Sequence, residues 1–97
     1  MRFEWDPQKN RENIRKHGLD FAGAFQIFTG PLLALPDTRR DYGEERWQGI
    51  GNIHGRVVVV VFAPIAAETI RIISLRKANR HERAQYEKAV ADELETS

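Results

Sequence analysis

The 97-residue chain contains no cysteine. That removes a disulfide framework, a thiolate metal site and a thiol nucleophile together, and it fits an intracellular protein whose core holds without covalent staples. No apolar run approaches the ~20 residues that a membrane span needs. The first residues, "MRFEWDPQKN", lack the apolar stretch of a secretory signal. The expectation is a soluble, cytoplasmic protein that does not engage the membrane. Histidine is scarce, and His17, His54 and His81 lie far apart in sequence. His81-Glu82 has no second histidine at helical spacing, so no metal site and no cofactor are predicted. Ser74, one of two serines, is in no nucleophile elbow and reads as a strand hydroxyl. The glycines of "GIGNIHG" fall at 49, 51 and 55, one residue beyond dinucleotide spacing, and they end a strand instead of opening a helix. Glycines inside a strand mark a bulge or a close backbone approach.

Charge is present in both signs and sums to +1, but it is unevenly placed. Between positions 71 and 83, Arg71, Arg76, Lys77, Arg80 and Arg83 meet one acid, Glu82, a local excess of about +4. Arg80 and Arg83 belong to a mixed-charge helix where solvated ion pairs are ordinary. Arg71 and Arg76 sit in a strand pattern, where such charge needs another reason. The residues from about 92 to 97 are acidic and are expected to fray.

A chain of this length closes one core, so residues 1–97 are expected to form a single domain. "MRFEW" reads as a short strand. Asp6 then caps a helix that opens at Pro7, whose missing N–H costs nothing there, and Gly18 ends it in the left-handed conformation. Its inward stripe, Asn10, Asn13, Ile14 and His17, is unusually polar, and His17 beside Gly18 suits either a cap or a proton carrier. Asp20 caps a second helix with Phe21, Ala24, Phe25 and Phe28 on its apolar face. "LLALPD" and "RWQGIGNI" read as strands separated by the charged loop "DTRRDYGEE". "NIHGR" reads as a hairpin turn on His54 and Gly55 into "VVVVVFA", a central strand covered on both faces. "PIAAE" reads as the next turn and "TIRIISLR" as the returning strand. Asn79 and Glu82 form a capping box for a last helix whose stripe is Tyr86, Ala89, Val90 and Leu94. Trp5 and Trp47 are core anchors or base-stacking groups, and Tyr86 is open between packing and function. The fold class is α+β, with helices on an antiparallel sheet. What covers the second face of the valine strand is open, and an exposed apolar face there would mark a partner site.

Three stretches, "EWDPQKNRENIRKHGLDF", "EERWQGIG" and "IRIISLRKANRHERAQYE", occur in the order and spacing of the BrnT family of bacterial toxins. The chain resembles that family from Phe3 to about Lys88. The resemblance implies a RelE-like fold with two N-terminal helices, a C-terminal helix and an antiparallel sheet. It also implies a type II ribonuclease toxin that arrests translation, held by a BrnA-like antitoxin with a ribbon-helix-helix domain. Two toxins and two antitoxins are expected in the complex, with operator DNA reached only through the antitoxin.

The family's motif positions fall on Lys16, His17, Arg46, Arg71, Ser74, Arg76, Lys77, Glu82 and Tyr86. A ribonuclease without a metal lets the 2′-hydroxyl of the RNA attack the adjacent phosphate, so the protein supplies proton transfer and charge stabilisation. Arginine suits the second task because its charge persists and its fork holds two phosphate oxygens. Arg46 and Arg76 are therefore expected to stabilise phosphate charge, with His17, Glu45 or Tyr86 as proton carrier. Ser74, Lys77, Arg71 and Arg80 are expected at the RNA, although an internal ion pair, which Arg71 also suits, is the commoner fate of an arginine inside a strand. Strand alternation puts Ser74 and Arg76 on one face with Ile70 and Ile72, and Arg46, Gln48 and Asn52 on one face of an earlier strand. Two readings from other classes stand beside the enzyme. One is a non-catalytic module binding RNA or an acidic partner, and the other is a ParE-like gyrase inhibitor.

Overall fold

The computed structural model describes residues 1–96. Five strands, β1 (Arg2–Glu4), β2 (Leu33–Pro36), β3 (Trp47–Ile53), β4 (Arg56–Ala66) and β5 (Thr69–Lys77), form one sheet in the order β1-β5-β4-β3-β2. Helix α1 (Pro7–His17) and a 3₁₀ segment (Phe21–Thr29) lie between β1 and β2 in sequence, and α2 (Arg80–Thr96) ends the chain. The sheet is mixed, not purely antiparallel as expected, because β1 runs parallel to β5. The parallel pairing follows from the chain path: α1, the 3₁₀ segment and three strands intervene before β5 returns beside β1, and no hairpin forces reversal. Among the described residues no helix is long and apolar enough to cross a membrane.

The local signals act as their chemistry dictates. Asp6 accepts from the Gln8 N–H at 2.9 Å, Pro7 opens α1, and Gly18 ends it at φ 70° with its N–H on the Ile14 carbonyl. His54 and Gly55, both at positive φ, make the two-residue turn from β3 to β4. The turn expected at "PIAAE" comes later: β4 runs through Ala66, and Glu68 at φ 62° makes the reversal. Asn79 and Glu82 exchange hydrogen bonds of 2.8 and 2.9 Å, the capping box of α2. The acidic residues from 92 are helical as far as Thr96, and the expectation at Ser97 lies outside the described residues.

The second helix is not α. Phe21, Ala24 and Ile27 are its buried residues, three apart, and at 3.0 residues per turn that spacing puts all of them on one edge. Phe25, expected on the apolar face, is 48% exposed, and Phe28 packs at the margin of the core. The segment lies tightly on β3. A β-carbon added to Gly51 would come within 2.5 Å of Ile27 Cγ2, so this glycine marks a close approach.

The main core joins Phe21, Ala24 and Ile27 to Val58, Val60 and Phe62 of β4 and to Ile70, Ile72 and Leu75 of β5. Alternation would put Leu75 opposite to Ile72. It does not, because Ile73 is an extra residue: Phe62 pairs with Ile72, whereas Val61 pairs with Ser74. The bulge moves Leu75 into the core, and it moves Ser74 and Arg76 to the face opposite Ile70 and Ile72, correcting the expected grouping. On that second face Ile50, Val59 and Tyr86 form a smaller core under α2, with Leu33 and Val90 packed against it. Leu94, expected in the stripe of α2, is 72% exposed.

Two members of the expected inward stripe of α1, Asn10 and Asn13, are backbone clamps, whereas Ile14 and His17 are exposed. Asn13 is buried and donates to the Leu19 and Leu75 carbonyls at 3.0 and 2.8 Å, while its Oδ1 accepts the Leu75 N–H at 3.1 Å. Asn10 accepts the Phe21 N–H at 2.8 Å and donates to Asp20 at 3.0 Å. Asn13 thus completes the β5 hydrogen bonds where β1 no longer pairs with it.

Candidate active site

The register gathers the strand arginines on one side. Arg71 lies opposite Ala63, Ser74 opposite Val61 and Arg76 opposite Val59, while Val61 and Val59 face Gln48 and Ile50 of β3. Arg46 precedes β3 by one residue, and its carbonyl accepts from the Asp37 N–H at 2.8 Å, which carries the same pairing one step further. Arg46, Gln48, Arg71, Ser74 and Arg76 therefore share the second sheet face, and α2 covers only its Ile50–Val59 end. The polar groups of β3 and β5 share this face because the Ile73 bulge takes Ser74 and Arg76 off the side of Ile70 and Ile72 on which alternation had put them.

This surface is not a field of bare positive charge. Arg76 Nη1 and Nη2 donate to Glu82 Oε1 and Oε2 at 2.8 and 2.9 Å. Arg46 Nε donates to Glu44 Oε2 at 2.9 Å, and Arg71 Nη2 donates to Glu44 Oε1. Arg39 Nε and Nη2 grip buried Asp37, both at 2.8 Å. The local excess counted along the chain leaves out Glu44, which the fold brings over from another element. The pairs leave their mark on proton affinity. The Arg76 guanidinium holds the Glu82 carboxyl down at about 2, outweighing the opposing effect of burial. Arg39 does the same for Asp37, also about 2. Arg71 first and Arg46 second lower Glu44. Arg76 is raised by Glu82, against the effect of burial and, less, the nearby charge of Arg39. Arg46 also lies over the Tyr42 ring, 4.1 Å from its centroid.

At the β5 edge of this face, Lys9, Glu12, Asn13, Lys16, His17, Ile73 and Ser74 line a cleft of about 260 Å³. The Gly18 turn keeps Lys16 and His17 in the last turn of α1, facing the bulge. This joins three of the expected residues: Lys16, His17 and Ser74.

Other expected residues stand elsewhere. Glu45 points to the other side of the sheet and accepts from Trp47 Nε1 at 2.9 Å. Tyr86 is buried against Ile50 and Val59, and its hydroxyl donates to the Pro31 carbonyl at 2.9 Å. Desolvation raises its pKa, which suits packing better than proton transfer at neutral pH. Lys77 pairs with Val58, so alternation sends it to the opposite face from Arg76. Arg80 is exposed at the start of α2. Among the described residues no group of three His, Cys, Asp or Glu side chains could hold a metal ion.

Residues 5–82 match the family described as "Ribonuclease toxin, BrnT, of type II toxin-antitoxin system". The chain belongs to the BrnT family. It is also similar to the crystal structure of the Brucella abortus ribonuclease toxin BrnT, with 34% identity and a TM-score of 0.68, over 82% of this chain and 99% of that one. No curated protein matches. Membership of a type II family implies an antitoxin partner. For this BrnT-family chain, sequence reasoning passed over Asp37, Arg39, Tyr42 and Glu44, all in a loop read as turn-prone and charged. The signal available was the repeated acid-x-Arg spacing, Asp37 with Arg39 and Glu44 with Arg46.

Proposed function

We propose that this BrnT-family protein cuts RNA without a metal, with the substrate lying across the arginine-bearing sheet face between the 37–46 loop and α1. The observation that carries the reading is the Ile73 bulge, which sets Arg71, Ser74 and Arg76 on the face of Arg46 and Gln48 and beside the Lys16–His17 cleft. In the reaction the RNA 2′-oxygen bonds to the adjacent phosphorus as its proton passes to a base. The bond to the 5′-oxygen breaks, and that oxygen takes a proton. His17, at the cleft beside Ser74, is the carrier best placed for proton transfer. Arg76 and Arg46 offset the charge that grows on the phosphate oxygens. Lys16 and Ser74 position the backbone. Tyr86 and Glu45 are left out of the chemistry by their engagements with Pro31 and Trp47.

Residues 1–97 act as one RelE-like toxin domain in the cytoplasm, arresting translation by this cleavage. A BrnA-like antitoxin with a ribbon-helix-helix domain neutralises it in a complex of two toxins and two antitoxins, and only the antitoxin contacts operator DNA. A second reading, RNA binding without cleavage, is supported by the carboxylate already paired with each arginine of the face.

Incubation of the chain with a defined RNA, with and without EDTA, separates the readings. The expected result is cleavage that survives EDTA and leaves 2′,3′-cyclic phosphate or 3′-phosphate ends. Cleavage abolished by EDTA and restored by a divalent ion overturns the mechanism. Salt-sensitive binding with intact RNA supports the second reading.

A further inference from the structure

Glu44 occupies a position that its own bonding makes unusual. Its two carboxylate oxygens are taken by guanidinium groups from different strands, Oε2 by Arg46 beside β3 and Oε1 by Arg71 of β5. Between those two arginines in the sheet, on β4, stands Ala63, a small buried residue opposite Arg71. Two guanidinium groups meeting one carboxylate, one at each oxygen, is an arrangement that binds phosphate as readily as carboxylate. The acid is not locked in. The side chains of Glu44, Arg46 and Arg71 are 26, 21 and 37% exposed, and Glu44 rides on a loop, next to Gly43 at φ 71°. Glu4 of β1 faces the same side beside Arg71 and forms no ion pair with it.

We infer that the Arg46–Arg71 pair is an RNA phosphate subsite and that Glu44 is its internal placeholder, displaced when the RNA backbone enters. The inference rests on the ribonuclease reading and deepens it. Removing this acid strengthens RNA binding beyond what the loss of one negative charge on this face gives, whereas removing one half of a structural ion pair weakens the protein and gains no more than that charge.

The test measures affinity of the full chain for a short 2′-O-methyl oligoribonucleotide, which keeps the phosphates and lacks the attacking hydroxyl, across a range of salt. Glu44→Gln is expected to bind roughly three- to tenfold tighter, with a salt dependence steeper by about one phosphate contact. Adding Arg46→Ala or Arg71→Ala removes that gain. Glu4→Gln makes the same change of charge on the same face and gains distinctly less. Equal gains for Glu44→Gln and Glu4→Gln, or weaker binding by Glu44→Gln, overturn the inference. Should Glu44→Gln fail to fold by circular dichroism, Glu44→Asp decides: its carboxylate is one methylene short of spanning both arginines, so tighter binding is expected, and unchanged affinity overturns the inference. Cleavage of unmodified RNA by the wild type without any Glu44→Gln gain sinks the placeholder alone. Neither binding nor cleavage in any form sinks the ribonuclease reading with it.

Discussion

Arg76 and Glu82 meet fork to fork, and the same Glu82 Oε1 that holds Nη1 also accepts the N–H of Asn79. One carboxylate therefore closes the first turn of α2 and fixes the arginine at the end of β5. The site and the helix start are mechanically one unit.

Arg76→Ala is expected to lower the cleavage rate by ~10²-fold or more, as loss of one preorganised charge-stabilising donor does, while RNA affinity falls far less. Arg80→Ala, at the exposed start of α2, should change the salt dependence of binding more than the rate, because it holds ground and transition states alike. Single-turnover rates beside binding curves make the comparison. Full cleavage by a folded Arg76→Ala protein would move the site towards Arg46 and His17.

Acid should expose the Glu82 pair. Its carboxyl lies at about 2 in the folded chain against an ordinary 4.5, so the stabilisation it contributes is complete above about 4.5 and is lost as pH falls towards 2. Urea midpoints measured between pH 5 and 2 should fall less steeply for Glu82→Gln than for the wild type. Parallel slopes would mean that the pair adds nothing to folding. Asp37, likewise held at about 2 by Arg39, contributes over the window below its ordinary 3.8, so the wild-type decline should continue after Glu82 is removed.

Gly51→Ala should cost about 1–3 kcal/mol, because the new methyl meets Ile27 Cγ2 at 2.5 Å inside a packed core. In the Ile27→Ala background the same change should cost less, since the obstructing atoms are gone. Additive losses in thermal or urea unfolding would place the strain elsewhere. Gly23→Ala is the control, because its β-carbon would meet nothing within 4 Å.

Asn13→Ala strips the Leu75 N–H and C=O of their partners at a buried strand edge, and unfolding free energy should fall by roughly 2–4 kcal/mol, about the penalty of two unsatisfied backbone groups. Asn13→Asp keeps an acceptor for the N–H but offers no donor to the carbonyl. Its amide proton at Leu75 should stay better protected from exchange than in the alanine variant.

What could be read from the chain beforehand was local. Asp6-Pro7, Gly18, the His54–Gly55 turn and the Asn79/Glu82 box each carry their structure in two to four residues, and all of them formed. The valine strand was legible because an unbroken β-branched run suits a strand covered on both sides. The 3₁₀ segment was not, since Phe21, Ala24, Phe25 and Phe28 satisfy an α period as well as Phe21, Ala24 and Ile27 satisfy a period of three. The choice lies in tertiary packing, where Ile27 sits against Gly51 of β3. Nothing in "TIRIISLRK" marks Ile73 as the bulged residue, because partner choice along β4 decides it, and alternation applied without it put Ser74 and Arg76 on the wrong side. The site was legible as a set of residue types and not as pairs. Glu44 joins Arg71 from 27 positions away, and neither residue's neighbours announce the other.

The placement of β5 bears on when the protein acquires its site during synthesis. The ribosome releases this strand after every other strand, yet it occupies the position between β1 and β4, so β1 has nothing to pair with until residues 69–71 have emerged. Arg71, Ser74 and Arg76 arrive on that same strand, and Glu82, which orients Arg76, arrives later still. A nascent chain stopped short of β5 has an unfilled gap in its sheet and lacks three residues of the proposed RNA face. The proposed RNA face is therefore completed only when the last strand and the start of α2 are in place.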